Sequence, residues 1–220
     1  MKTIIFDIET IPQDFDSLDE AQKYYLLKTA DTEKEKEKIK NQMALWAPTN
    51  KIVAIGMLCV ETGKGAMYFQ DKEKKEFEEN GIKYWSGSEK EILEKFWVAI
   101  AHSNKFVTFN GRGFDCPVLM LRSAMLKIKP SKNLMPYRYS SDQHIDLLEQ
   151  LTFYNSVRKF NLDFFCKSFG IPSPKSSGVT GHDVAPMFKE GKFEQIARYC
   201  AGDLEATKEL YLRWQDYIKF

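Results

Sequence analysis

No apolar run in this chain approaches the roughly 18 residues that a membrane-spanning helix needs. That excludes a helical membrane span, and a membrane is not an expected partner. The only apolar run near the N-terminus is broken by Asp7 and Glu9, so no secretory signal pattern is present there. The four cysteines, Cys59, Cys116, Cys166 and Cys200, show no metal-ligand spacing and cannot staple a small scaffold. Reduced thiols in the cytoplasm are therefore the expectation. Internal repeats are lacking. Net charge is nearly lacking too, at +1 over 220 residues, and by itself argues for no partner. The one local absence that matters is acid: from Cys116 to Ser141 there is no Asp or Glu, while Arg122, Lys127, Lys129, Lys132 and Arg138 are present. Extended to His182, that basic middle carries nine Lys/Arg against four Asp/Glu, leaving the rest net acidic. It fits either a solvated surface or a local hold on a polyanion.

What is present is a core. Apolar residues make up 43% of the chain and aromatic residues 14%, which excludes global disorder. The first strand, Thr3 to Pro12, is apolar almost without a break from Ile4 to Ile8, as expected of a strand buried on both faces. Strand side chains alternate, so Asp7 and Glu9 point to the same face. Two buried carboxylates are costly unless their charge is compensated, and hard divalent cations prefer oxygen ligands.

The stretch from Asp14 to Leu45 changes character. Leu18, Ala21 and Tyr25 fit one helix face and Ile39, Met43 and Trp46 another, around the charged run Asp31 to Lys40. A helical hairpin or one long helix is expected there, either a linking element or a lid over a cleft. Lys51–Val60 and Ala66–Gln70 read as strands joined by a turn at Glu61–Gly65. Ser88 with Glu91 is a capping-box pattern opening a helix. Lys105–Asn110 is another strand, followed by a Gly111-Arg112-Gly113 turn and a helix. His144–Leu148 starts either a short strand or a helix. Asn161–Phe169 is helical, Ile171–His182 is a mobile loop, and Phe193–Trp214 is a final helix, whole or broken.

Asp115 lies where a strand gives way to a helix, the end of a strand where open α/β sheets bind ligands. It can equally be a helix N-cap. Tyr199 and Asp203 are four residues apart on one face of the last helix, at the margin of its buried stripe. Four carboxylates converging on one cleft would repel strongly without cations, and they suit a two-metal phosphoryl-transfer site.

These motifs carry a resemblance. Asp7-Ile-Glu9-Thr10, Asn110 with Phe114-Asp115, and Tyr199 with Asp203 resemble, in order, the three motifs of the DEDD superfamily of 3′–5′ exonucleases. The likeness is greatest to the proofreading domain of family B DNA polymerases and its stand-alone bacterial relatives. Arg198 stands where a sister subfamily has His, so the tyrosine (DEDDy) subtype is the one indicated. The resemblance implies an α/β, ribonuclease-H-like fold. This is a five-stranded mixed sheet with strand 2 antiparallel, flanked by helices. One exonuclease domain would span residues 1–220, with a charged helical insertion at about 14–45. It further implies two Mg²⁺ or Mn²⁺ ions held by Asp7, Glu9, Asp115 and Asp203, and a water oriented by Tyr199. Thr10, Asn110 and Phe114 would contact the terminal nucleotide, although Phe114 can equally be core. The implied activity removes 5′-mononucleotides from the 3′ end of a single strand, DNA rather than RNA. A polymerase or repair protein would be a separate partner.

Other residues carry weaker expectations. Asp146 is expected to cap or be solvated rather than support the site. His182 is not expected to bind metal, and Lys175 and Arg158 are candidate phosphate contacts. A non-catalytic binding module on the same fold is one alternative. Another is an aspartyl-phosphate phosphatase, whose Asp-x-Asp-x-Thr opening resembles Asp7-x-Glu9-x-Ile11. The two enzymes differ over Asp203, which sits on a helix in the exonuclease and in a loop after a strand in the phosphatase.

Overall fold

A computed structural model describes residues 2–172 and 178–219. The central strand β1, Thr3–Pro12, is followed by two exposed helices, α1 (Glu20–Leu27) and α2 (Glu33–Gln42), and a 3-10 turn at Met43–Leu45. Both helices begin with reciprocal capping boxes, Asp19 with Gln22 and Thr32 with Glu35, and neither buries a residue. Their order is thus local in origin: caps and i,i+3 ion pairs, not core packing. The chain returns through β2 (Asn50–Cys59), β3 (Gly65–Gln70), β4 (Glu76–Glu79) and β5 (Ile82–Gly87). Then follow α3 (Glu89–Ile100), β6 (Lys105–Thr108), α4 (Asp115–Met125), β7 (His144–Asp146) and α5 (Leu147–Leu151). The helices α6 (Leu162–Ser168), α7 (Val184–Lys189) and α8 (Phe193–Tyr217) complete the described order. No helix among the described residues is long and apolar enough to cross a membrane.

The strands form one mixed sheet in the order β4-β5-β3-β2-β1-β6-β7. As expected, β2 is antiparallel to β1, and it is antiparallel to β3 as well, while β1, β6 and β7 run parallel. Among the described residues, seven strands stand where five were expected. The two extra strands are the β4–β5 hairpin, paired to the edge through β3 and β5. That hairpin carries little strand signal in the sequence, because β4 is an edge strand with Glu76 and Glu78 in solvent, which discourages edge-to-edge association. Phe77 turns inward and stacks on Tyr84 at 4.6 Å. The turn signal was in the sequence: Asn80-Gly81, with φ of 51° and 77°, is the tight hairpin pair.

Other expectations resolve in detail. His144–Leu148 is both a short strand and a helix start, and the last helix is unbroken. Of the loop expected over 171–182, residues 173–177 lie outside the described residues. Gly181–Asp183 is a 3-10 turn leading into α7.

Helices cover both faces. One core layer joins Ile5, Met67, Val107 and Ile145 of the sheet to Ile196, Cys200 and Leu204 of α8. The other joins Phe6, Ile8 and Ile55 to Ile92 and Phe96 of α3 and Leu119 of α4. The approach of α8 to the sheet is set at Gly56. A Cβ there would lie 2.7 Å from both Leu204 Cδ1 and Met67 Cε, and 3.1 Å from Cys200 Sγ. Gly56 faces Asp7 across the β1–β2 ladder. Glycine is thus what lets the helix settle directly over the acidic part of β1. Gly56→Val should lower stability by about 2 kcal/mol, as overpacking does. Chemical denaturation tests this, and an unchanged midpoint would show that α8 is not seated by that contact.

Candidate active site

The site begins where β1 loses a neighbour. The parallel ladder between β1 and β6 pairs Thr3 with Lys105, Ile4 with Phe106 and Ile5 with Val107, then ends. Beyond it β6 turns away through Asn110 to Gly113, leaving the next stretch of β1 edge without a strand. The Asp115 carboxylate fills that gap, with Oδ1 accepting from the Ile8 N–H at 3.1 Å. Asp115 is buried in the first turn of α4, and the residue before it, Phe114, supplies no side-chain cap. Its carboxylate is spent on bracing β1, not on N-capping α4.

On β1, Asp7 and Glu9 face the α8 side, one half-buried and the other buried. The residues opposite them on β2 are Gly56 and Ala54, whose small size leaves room for the helix. From α8 come Tyr199 and Asp203, both half-buried at the helix margin. A cleft of about 440 Å³ is lined by Asp7, Glu9, Asp115, Tyr199 and Asp203 together. Asn110, Gly113 and Phe114 form its rim on the α4 side, with Leu45, Phe109 and Ile8 completing it. Asp203 lies within α8, which removes the phosphatase alternative.

Thr10 does not join them. The β-ladder shifts register between Glu9 and Thr10, and the Thr10 hydroxyl donates to the Ala44 carbonyl at 2.7 Å. It ties the end of the inserted segment to β1. Asn110, by contrast, sits at the rim in the left-handed region (φ 62°). Gly113 makes room for its side chain, since a Cβ there would stand 2.6 Å from Asn110 Oδ1.

Asp146 proves to be neither solvated nor merely a cap. It is buried, and Oδ1 accepts from the N–H groups of Leu148 and Glu149 at the start of α5. The same carboxylate accepts from Asn110 N–H at 3.0 Å and Arg112 N–H at 2.9 Å, and so holds the rim loop in place. His182 is exposed and outside the cleft lining, as is Arg158, whose guanidinium lies 5.0 Å from the Phe160 ring. Lys175 falls outside the described residues.

Two lining residues, and one thiol beneath the cleft, carry no signal in the sequence. Leu45 ends the inserted segment, and Phe109 reads as ordinary strand core. Cys200 is buried beneath Asp7, with Sγ 3.7 Å from both the Asp7 carbonyl oxygen and Oδ2. One ligand atom from each of Asp7, Glu9 and Cys200 lies within 4.8 Å of the other two, a spacing that could hold a metal ion. The carboxylates suit a hard divalent cation, whereas burial raises the Cys200 thiol and keeps it protonated, a poor ligand for one. Among the described residues, no Lys or Arg forms an ion pair with Asp7, Glu9 or Asp115.

The electrostatics follow from this crowding. Burial pushes the Asp7 carboxyl well above the usual range, and the charges of Asp115, Asp203 and Glu9 push it further. Glu9 is raised likewise by burial, then by Asp203 and Asp115. Asp115 is pushed up to about 7, chiefly by burial, with its backbone hydrogen bonds opposing the rise. Burial raises the Tyr199 phenol, and the neighbouring charges of Asp203, Glu9 and Asp7 add to it. At neutral pH Tyr199 is therefore a hydrogen-bond donor and not a base.

Fold and cleft define a class first: a mixed α/β domain with an acidic cleft at the ends of its central parallel strands. Residues 45–218 match a family described as a predicted 3′–5′ exonuclease related to the exonuclease domain of PolB, and the chain belongs to that family. The matched span includes Asn110, Asp115, Tyr199 and Asp203 but begins after Asp7 and Glu9. A DNA polymerase of Pyrococcus glycovorans is 28% identical over 144 residues, covering 56% of this chain and 18% of the polymerase. In fold, the chain is similar to the family B DNA polymerase of the hyperthermophilic archaeon Pyrobaculum calidifontis. The TM-score is 0.63 at 14% identity, covering 98% of this chain and 24% of that one. The chain thus spans less than a quarter of either polymerase.

Raised carboxyl groups make stability depend on pH. Protonated, Asp7, Glu9 and Asp115 tolerate burial; ionised, they repel one another. Their contribution is complete below the ordinary carboxylate range near pH 4 and is lost as pH rises, through about 7 for Asp115. In chelator, the melting temperature should fall by about 5 °C between about pH 5.5 and about pH 8. Added divalent cation should restore more of it at the higher pH, as should Asp115→Asn without cation. A flat pH profile for the wild type would mean that the carboxylates do not oppose one another.

Proposed function

We propose that this chain is a metal-dependent 3′–5′ exonuclease acting on a single strand, DNA rather than RNA. The observation that carries the reading is the convergence of Asp7, Glu9, Asp115, Asp203 and Tyr199, from three separate elements, on one cleft. The strands β3-β2-β1-β6-β7 are then a ribonuclease-H-like core, and β4–β5 an addition to its edge. Residues 1–220 act as one domain, with α1 and α2 as an insertion.

In this reading Asp7, Glu9 and Asp203 hold the cations, Mg²⁺ or Mn²⁺, and Asp115 completes the ligand set while bracing β1. Two bound ions would supply water activation and charge neutralisation at the leaving oxygen. The chain does the rest. Its neutral Tyr199 phenol donates a hydrogen bond that aims the attacking water at the terminal phosphorus. Asn110 and Phe114, on a rim loop fixed by Asp146, position the last nucleotide. Leu45 and Phe109 offer apolar surface to its base. In-line attack then releases a 5′-mononucleotide and leaves a new 3′-hydroxyl. If the chain serves in proofreading, a separate polymerase provides the synthesis.

The test uses a 5′-labelled single-stranded oligonucleotide with Mg²⁺ or Mn²⁺. The wild type should give a ladder shortened from the 3′ end, abolished by chelator. Asp7→Ala and Asp203→Ala should each lower the rate by about 10²-fold or more, as loss of one electrostatic element of a site does. Tyr199→Phe should slow turnover by about 10²-fold, as a misplaced reactant does, with metal affinity retained. Internal cutting of a 3′-blocked strand at the same rate would refute the exonuclease reading. Strand binding without any cutting would turn the assignment to a non-catalytic module.

A further inference from the structure

Beyond the cleft, the rim loop leads to a cluster of exposed rings that the site does not use. Tyr137 and Tyr139 are 73% and 61% exposed, with ring centroids 5.8 Å apart. Tyr139 also packs on Tyr154 at 5.0 Å. Tyr154 belongs to a run of three left-handed residues, Phe153, Tyr154 and Asn155, with φ of 48°, 56° and 73°. That turn presents Phe153 to solvent and sets Tyr154 beneath Tyr139. Left-handed backbone is disfavoured for such residues, so the rings are held out against a conformational cost.

The cluster is tied to the cleft by one side chain. Arg112 lies between the rim residues Asn110 and Gly113. Its guanidinium donates to the carbonyls of Pro136, at 3.0 Å, and Tyr137, at 3.3 Å. The rings thus begin about one arginine side chain from the rim. Two guanidiniums flank them: Arg112, and Arg138, which is exposed between Tyr137 and Tyr139 in the sequence. The pair shares one carboxylate, that of Glu149, at 3.6 Å and 2.6 Å.

We propose that Tyr137, Tyr139 and Tyr154 form a stacking surface for bases of the single strand lying upstream of the 3′ end in the cleft; this rests on the exonuclease reading. The occupant follows from chemistry. Aromatic faces flanked by two guanidiniums that share one carboxylate suit a strand that offers a π-face and a phosphate at each step, and stacking of this kind tolerates any base sequence. The continuity of the surface with the cleft rim through Arg112 gives that strand one path.

Binding is read without turnover, by fluorescence anisotropy in chelator, with labelled DNA strands of about three and about twelve nucleotides. Wild type should bind the longer strand more tightly. Tyr139→Ala should weaken binding of the longer strand about tenfold, from the loss of one stacking face. Tyr139→Phe should retain it, since the ring remains. Equal melting temperatures of the two variants would show that the loss is not unfolding. Wild-type affinity in Tyr139→Ala would overturn the proposal, as would a loss in Tyr139→Phe equal to that in Tyr139→Ala. Self-association of the wild type abolished by Tyr139→Ala would overturn it too, by giving the face to a second copy. The exonuclease reading stands or falls separately, on cleavage by Asp7→Ala.

Discussion

Everything around the cleft answers one electrostatic problem: carboxylates of the same sign, buried close together. Like charges at short range in a poorly solvated place repel by several kcal/mol, and each carboxylate also loses hydration. Burial first, and mutual repulsion second, drive such a cluster to take up protons, which is why Asp7 and Glu9 are pushed well above their ordinary range. The fold tolerates it because the surroundings are rigid. β1 is central, paired along its length with β2 on one side and over its first three residues with β6 on the other. A helix close-packed through Gly56 prevents the acids from swinging apart.

A second constraint explains why the acids sit at this level of the sheet. A parallel strand that ends early exposes the edge of its neighbour, and an exposed N–H in the interior must find an acceptor. Here the Ile8 N–H finds Asp115. The same local event, β6 turning away, creates the opening, supplies the acceptor and starts the rim loop. Asp146 then stabilises that loop from below with a carboxylate that faces no solvent. Position and support of the cleft are two outcomes of one strand ending.

The parts legible in the sequence are those governed by short-range rules. Alternation placed Asp7 and Glu9 on one face, and the four-residue spacing put Tyr199 and Asp203 on one side of a helix. The capping pattern at Ser88 marked a helix start, as the structure has it. What resisted reading depends on contacts distant along the chain. β4 hid because an edge strand has little hydrophobic signal, although Asn80-Gly81 announced its turn. Thr10 looked like part of the first motif, but a register shift at Glu9 gave its hydroxyl to Ala44. Asp146 looked like a cap because only the tertiary fold brings Asn110 and Arg112 to its other lone pairs. Cys200 looked like core, and nothing along α8 announces that Asp7 lies directly above it.

The contact between Cys200 and Asp7 joins residues 193 positions apart. The two halves of the acidic cleft therefore come from opposite ends of the sequence. Closing so long a loop carries an entropic cost that must be met before its contacts repay it. The cleft exists only once nearly the whole chain is in place. A partly folded chain, or one still being synthesised, carries Asp7 and Glu9 without Tyr199 and Asp203. The acids of β1 and those of α8 thus meet only in the finished fold.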